Sequence, residues 1–372
     1  MSTFSLRDLY FKYLDSPNSN EEFEVKFGTK KNGFIQRDSF DDVIKVIKSK
    51  GFVLSDTHVM LRANSIYIDK TGRSHISRNV RTTILGAENI QRFCRSNTII
   101  DENGDLRRGI YFERKQPKIV DEQRAVADVD DFNFRATYHE EERLDTKFGI
   151  AKDIIDNWNT TKKVFRYLKR FVFTKYEYGY GHIELHMSIT KNGARKPGKG
   201  ITPVYTVQES NVFNMPMNYE IEIEVNKARV TRELDDEFYK NLHRTVMNIL
   251  SGLQQTPYPV SFNKLDSIGQ EYYAVVNKQL LRGPVRPGHF IGPSSISLEM
   301  KHIVPSEVKS SDVNIRKNYV VTDKADGMRK LLYVSGKGDV YMIDTNMKIQ
   351  FTGCKTSNED VYYSIIDGEH IT

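Results

Sequence analysis

Only two cysteines, Cys94 and Cys354, occur in 372 residues. They lie too far apart for a metal-type spacing and are too few for a disulfide framework, a usage that fits a reducing compartment. No apolar stretch approaches the roughly 20 residues of a bilayer span. The opening MSTFSLRDLY lacks the pattern of a secretory signal. The expectation is a soluble, intracellular, cytoplasmic protein with no membrane partner. Internal repeats and low-complexity tracts are absent as well, which excludes solenoids and disordered arrays.

What the chain does contain is an ordinary globular mixture, 38% hydrophobic and 28% charged, so each folded unit can bury a core. Its length exceeds the usual single domain and favours two units. A formal net charge of +6 suits a polyanionic partner without selecting one. Helices are predicted over 38–50, where Phe40, Val43, Ile44 and Ile47 form a stripe ended by Gly51, and over 232–253, where Leu234, Phe238, Leu242, Val246 and Leu250 recur at helical spacing. Between them lie strand-like stretches at 58–68, 78–85, 109–120, 163–175, 182–190 and 218–226, separated by turn-rich loops. Residues 255–310 are rich in proline and glycine and read as a separator, with a domain boundary near 260.

In EEFEVKFG the charged Glu22, Glu24 and Lys26 alternate with Phe23, Val25 and Phe27, and in NYEIEIEV the acids Glu220, Glu222 and Glu224 alternate with Tyr219, Ile221, Ile223 and Val225. A strand places each charged set on one face. A solvated charged face explains either segment alone. Two such strands change the balance, because like charges about 4 Å apart repel by roughly 4 kcal/mol at an effective dielectric of 20. A bound Mg²⁺ or Mn²⁺ relieves that repulsion with hard oxygen ligands. The opposite sign appears in the same alternating manner, with Arg166 and Arg170 on one face of VFRYLKRFVF and Arg62, Arg81 and Lys115 in further strand-like segments; Glu184 adds a carboxylate. If these faces turn inward in a closed barrel, the lumen suits a metal-bound polyphosphate.

The pair Glu22-x-Glu24-x-Lys26 and Glu220-x-Glu222-x-Glu224, some 200 residues apart, resembles the two signature strands of the triphosphate tunnel metalloenzymes over about residues 1–255. RYLKRFVF, HIELHMSIT and YFERKQP resemble the RNA triphosphatases of poxviruses and other large DNA viruses. The resemblance implies an antiparallel β-barrel tunnel with flanking helices over 1–260. It implies metal binding by Glu22, Glu24, Glu220, Glu222 and Glu224, with Glu22, Glu24 and Glu222 serving catalysis. It also implies phosphate contacts from Lys115, Arg166 and Arg170, joined by Lys26, Arg62 and Arg81 where strand register turns them inward, and Glu184 as a further acid of the tunnel. The implied reaction is attack of water on the γ-phosphate of a nascent RNA 5′-triphosphate.

YVVTDKADGMRKLLYV at 319–334 sets Lys324, Asp326, Gly327 and Arg329 between two hydrophobic runs. Alone, Ala-Asp-Gly is a surface hairpin turn. With YYSIIDGEHI, carrying Asp367, Gly368 and Glu369, it resembles the first and third motifs of the covalent nucleotidyltransferases, so residues 261–372 resemble the N-terminal part of a guanylyltransferase domain, cut after its Asp-Gly-Glu motif. The resemblance implies Lys324 as the nucleophile that takes GMP from GTP, its amine pKa lowered by its surroundings. Asp326 and Gly327 would shape its turn, Arg329 would contact the nucleotide, and Glu369 would bind ribose or metal. Together the modules resemble the multifunctional mRNA capping enzymes of large DNA viruses, an α+β architecture. That family implies the nascent mRNA 5′ end and GTP as partners, a methyltransferase region in cis beyond residue 372, and a viral factory or virion as further places to find the protein. Two other readings stand beside this one: a polynucleotide ligase with an accessory domain, and a non-catalytic polyphosphate- or RNA-binding tunnel. Against the last, a pure anion binder gains nothing from the glutamate sets.

Overall fold

The computed structural model describes the chain except residues 1–3, 29–34, 69–73, 77–78, 197, 199, 231–234, 282, 293–295, 306–313, 317, 322, 324–325 and 372. Its contacts divide the chain into two compact units, 1–255 and 256–372.

The first unit is built on β1 (Glu21–Phe27), β2 (Val53–Ile68), β3 (Ser74–Ile76), β4 (Val80–Leu85), β5 (Ile110–Pro117), β6 (Ile119–Val120), β7 (Gln123–Arg124), β8 (Val126–Val129), β9 (Phe134–Arg143), β10 (Lys163–Thr174), β11 (Ile183–Asn192) and β12 (Asn218–Val225). Going round the sheet, β1, β12, β11, β10, β2, β4, β5 and β9 pair in turn, and β9 pairs back onto β1. The result is a closed eight-stranded antiparallel barrel; β3 and β8 hang from it on β2 and β9. Closure leaves none of these eight strands with an open edge.

The barrel is apolar outside and charged inside, the reverse of a barrel packed on its own core. In β1, Phe23 and Val25 are fully buried on the outer face, against the helices α1 (Leu6–Asp15), α2 (Arg37–Ser49) and α6 (Asp235–Gln254). These helices bring Leu9, Tyr10, Phe40, Val43, Ile47, Leu242, Val246 and Ile249 to the same core. Helices α2 and α6 approach backbone to backbone at Gly252, where an added Cβ would stand 2.6 Å from Val43 Cα. A second core covers the opposite flank, joining Leu61, Ile84, Phe112 and Phe165 to Phe93 of α3 (Ala87–Ser96), to Ile154 of α4 (Gly149–Asp156), to Trp158, and to Val207 of the short α5 (Val207–Ser210).

Both predicted helices are present with shifted ends, α2 beginning at Arg37 and α6 at Asp235; Leu234 lies outside the described residues. The stretch read as a separator is not all connector. It holds α7 (Phe262–Asn277), capped by the Ser261 side chain on the Lys264 amide. In the second unit Ile268 and Tyr272 of α7 pack on a four-stranded antiparallel sheet made of β13 (Met328–Val334), β14 (Asp339–Asp344), β15 (Ile349–Lys355) and β16 (Ile365–His370). Its order is β15-β14-β13-β16.

Candidate functional site

Since side chains alternate across a strand, the outer apolar face dictates what points inward. Glu22, Glu24, Lys26, Arg62, Arg81, Lys115, Arg166, Arg170, Glu184, Glu220, Glu222 and Glu224 all line one cavity of about 1320 Å³, larger than the roughly 300–1,000 Å³ of a small-molecule site. Register sets their neighbours. Glu24 stands across from Glu224 and Lys26 from Glu222, Arg166 stands across from Arg62, and Arg81 stands across from Glu113.

Charge divides the lumen into two walls. Strands β1, β12 and β11 carry carboxylates; β10, β2 and β4 carry arginines. Lys26 Nζ lies 2.8 Å from Glu24 Oε2 and 3.2 Å from Glu222 Oε1, while Lys115 reaches both Glu22 and Glu24. Arg170 donates to Glu222 at 3.2 Å, Arg166 donates to Glu220, and Arg81 is shared by Glu113 at 2.9 Å and Glu141 at 2.7 Å. Arg62 differs. Among the described residues its Nε has no hydrogen-bond partner, and a terminal nitrogen lies 4.0 Å from Met60 Sδ. Burial, with Arg81 and Arg170 alongside, pushes its guanidinium down to about 10.

Burial opposes ionisation of Glu24, but Lys26 and Lys115 outweigh it and hold this carboxyl well below the ordinary range. Burial acts on Glu222 too; Lys26 and Arg170 still bring it to about 2 against the repulsion of Glu24. Burial and the charge of Glu24 instead push Glu22 well above the ordinary carboxylate value. The acidic wall therefore carries more negative charge than its lysines neutralise.

The tunnel metalloenzyme resemblance implies a divalent cation. Hard carboxylate oxygens from two adjacent strands are a suitable donor set, and the Lys26 ammonium already stands as a cation between Glu24 of one strand and Glu222 of the next. Among the described residues no three acidic, imidazole or thiol side chains converge to metal-ligating spacing. The donors fit the ion in chemistry, and the lysines hold the space between them.

Several lumen residues escape the sequence reading. Glu113 and Tyr111 alternate with Lys115 in β5 and were within reach of the same pattern. Glu141 lies in a run of adjacent charges, HEEER, that masks any alternation. His139 faces Glu22 across β9 and β1; burial and Lys115 push it down to about 4. His186 places Nδ1 3.2 Å from Glu224 Oε2 and Nε2 3.6 Å from Glu184 Oε2.

In the second unit Lys324 lies outside the described residues, and Asp326 is exposed. Gly327 runs against β16, where an added Cβ would meet the His370 carbonyl oxygen at 2.6 Å. Its N–H donates to Glu369 Oε1 at 3.1 Å. Arg329 donates through Nε and a terminal nitrogen to the two oxygens of Asp367, at 3.0 and 2.9 Å. The residues of the two motifs thus meet through β13 and β16. Arg329 and Glu369, expected to contact nucleotide, are engaged with the chain's own groups.

Fold and lumen together define a closed antiparallel tunnel with carboxylates on one wall and arginines on the other. No family model matches the chain. It is similar to a probable mRNA-capping enzyme of Acanthamoeba polyphaga mimivirus, with 26% identity over 161 residues. That stretch is 43% of this chain and spans 12% of the relative's length. Among solved structures it is similar to the RNA triphosphatase domain of a trifunctional mimivirus mRNA capping enzyme, at 20% identity and TM-score 0.41, covering 66% of this chain and 99% of that one. It is also similar to an RNA triphosphatase of S. pombe, at 11% identity and TM-score 0.34, covering 67% of this chain and 86% of that one.

Proposed function

We propose that the barrel unit is an RNA 5′-triphosphatase acting in mRNA capping, and that the second unit belongs to a guanylyltransferase domain. The observation that carries the first part is Arg62, a guanidinium that forms no salt bridge among the described residues, set between Arg81, Arg166 and Arg170 in a lumen that also carries a wall of glutamates. Such a lumen is completed by an anion on one wall and by a cation on the other. A triphosphate with a divalent metal supplies both.

Glu22, Glu24, Glu220, Glu222 and Glu224 would hold the cation, which when bound draws charge from the phosphate oxygens. The chain's own groups do the positioning. Arg62, Arg81, Arg166 and Arg170 grip the phosphates and offset the charge of the transition state. A glutamate of the acidic wall can orient the attacking water, whose proton leaves with the released phosphate. Water adds to the γ-phosphorus, the bond to the β–γ bridging oxygen breaks, and inorganic phosphate leaves an RNA ending in a diphosphate. In the second unit Lys324 would attack the α-phosphate of GTP and release pyrophosphate.

The test is phosphate release from triphosphate-ended RNA by the full chain, with Mg²⁺, with Mn²⁺ and with the metal chelated. Metal-dependent release supports the reading. A protein that binds the RNA but releases nothing is the non-catalytic tunnel instead.

A further inference from the structure

The loop from β10 to β11, KYEYGYGH over 175–182, carries three tyrosines with different fates. Tyr180 is buried at 7% exposure and packs edge-on against Phe52, with the Lys175 ammonium 4.1 Å from its ring centre. Asn241 of α6, itself buried, donates to the Gly179 carbonyl at 2.9 Å, and Gly179 has a φ of +77°. The base of the loop is therefore fixed from inside. Tyr176 and Tyr178, by contrast, are 85% and 79% exposed, and Tyr176 nevertheless lines the rim of the lumen cavity.

Other groups at this rim are already engaged. Lys175 pairs with Glu177, Lys227 with Glu21 at 2.8 Å, and Arg229 with Glu184 at 3.3 Å. Among the described residues this rim presents an exposed aromatic face on an anchored loop, while Lys175, Lys227 and Arg229 are paired. An exposed tyrosine ring offers a large amphipathic face with few torsions to freeze, and aromatic faces bind single-stranded nucleic acid by stacking on bases whatever their sequence.

We propose that Tyr176, supported by Tyr178, is a stacking platform for the 5′-proximal bases of single-stranded RNA, so that the mouth selects an RNA-borne triphosphate over a free polyphosphate. This rests on the triphosphatase reading and adds a substrate-selecting residue to it. Tyr176 is a positioning residue, outside the phosphate chemistry.

The full chain and its Tyr176→Ala, Tyr176→Trp and Tyr176→Ala/Tyr178→Ala variants are compared in two assays. One is hydrolysis of triphosphate-ended single-stranded RNA and of inorganic tripolyphosphate. The other is the anisotropy of a fluorescent RNA oligomer ending in a 5′-monophosphate, which needs no catalysis. Tyr176→Ala is expected to raise the RNA KM and the oligomer Kd by roughly five- to a hundredfold, the range of one lost base–aromatic stack. Tripolyphosphate kinetics stay as in wild type, Tyr176→Trp restores RNA binding, and the fold loss is the same at low and high salt because no ion pair is involved. Unchanged RNA binding in the double variant overturns the proposal, as does an equal rise in the KM for tripolyphosphate. If the wild type hydrolyses neither substrate, the triphosphatase reading fails, while the anisotropy assay still decides the platform.

Discussion

Arg62 gives a prediction in which stability and activity move in opposite directions. Its guanidinium falls from the ordinary arginine value to about 10 through burial and the neighbouring Arg81 and Arg170. Arginine stays protonated at neutral pH, so the unfavourable surroundings cannot be relieved by losing the proton and weigh on the folded state. The drop from the ordinary arginine value to about 10, at 1.36 kcal/mol for each pH unit, is about 3 kcal/mol as an upper figure, and solvent in the open lumen reduces it to about 1–3 kcal/mol. Arg62→Met keeps the unbranched stem of the side chain and removes the charged head. The free protein should then melt about 2–12 °C higher, taking about 2–4 °C for each kcal/mol in a unit of this size. The same variant should lose the arginine least engaged by the protein itself, and with it the raised melting temperature that tripolyphosphate confers on the wild type. Phosphate release should fall about ten- to a hundredfold, the worth of one charged hydrogen-bond partner. Differential scanning fluorimetry with and without tripolyphosphate, beside a phosphate-release assay, measures all three. A free variant that melts below wild type would refute the electrostatic reasoning, and full activity would remove Arg62 from the phosphate site.

Glu24→Gln should abolish metal-dependent phosphate release and lower the melting temperature, since Lys26 and Lys115 both lose a carboxylate; near-normal release would sink the cation assignment. Arg170→Ala should slow hydrolysis about ten- to a hundredfold, read as kcat/KM on triphosphate-ended RNA. Lys163 is 1% exposed and burial pushes it down to about 8. Between that value and the ordinary lysine value the unfolded chain holds a proton that the folded one lacks, so this residue makes stability rise with pH across the window. Lys163→Met should flatten that rise in denaturant titrations, and an unchanged slope would count against it. Residues 1–255 alone should hydrolyse triphosphate ends, and Lys324→Ala in the full chain should leave that activity unchanged; loss on truncation would mean that the barrel depends on the second unit.

The inward face of the barrel was legible because period-two alternation of charged and apolar residues survives in β1 and β12, and because Arg166 and Arg170 in β10 and Glu184 and His186 in β11 keep even spacings. Strand β9 was not, since Glu140, Glu141, Glu142 and Arg143 are consecutive charges, two of which pair outward or at the rim while Glu141 turns inward beside Arg81. Nor does sequence show who meets whom: Lys115 touches Glu22 and Glu24 across 93 and 91 positions, and such pairings are set by register and closure. Helix α7 was hidden by the prolines and glycines that flank it, although Leu265, Ile268, Tyr272 and Val276 carry a helical stripe. Of the predicted turn at Lys324–Gly327, Asp326 and Gly327 are described, and the strand before them is not found at 319–321. That Gly327 is required by the approach of β16 belongs to tertiary structure.

Closure of the barrel also orders events in time. Strand β1 finds β9 about 110 residues later, but its other neighbour, β12, begins only at Asn218. At about 5–20 residues per second of synthesis, the first strand waits roughly 10–40 s before the ring can be sealed. Until then the sheet is an open ribbon, its outer face lacking α6 and its glutamates turned to bulk water. The lumen therefore comes into being all at once, late and at the end of the unit, and a ribosome that stalls before residue 225 releases a sticky half-barrel with no capacity to hold a triphosphate.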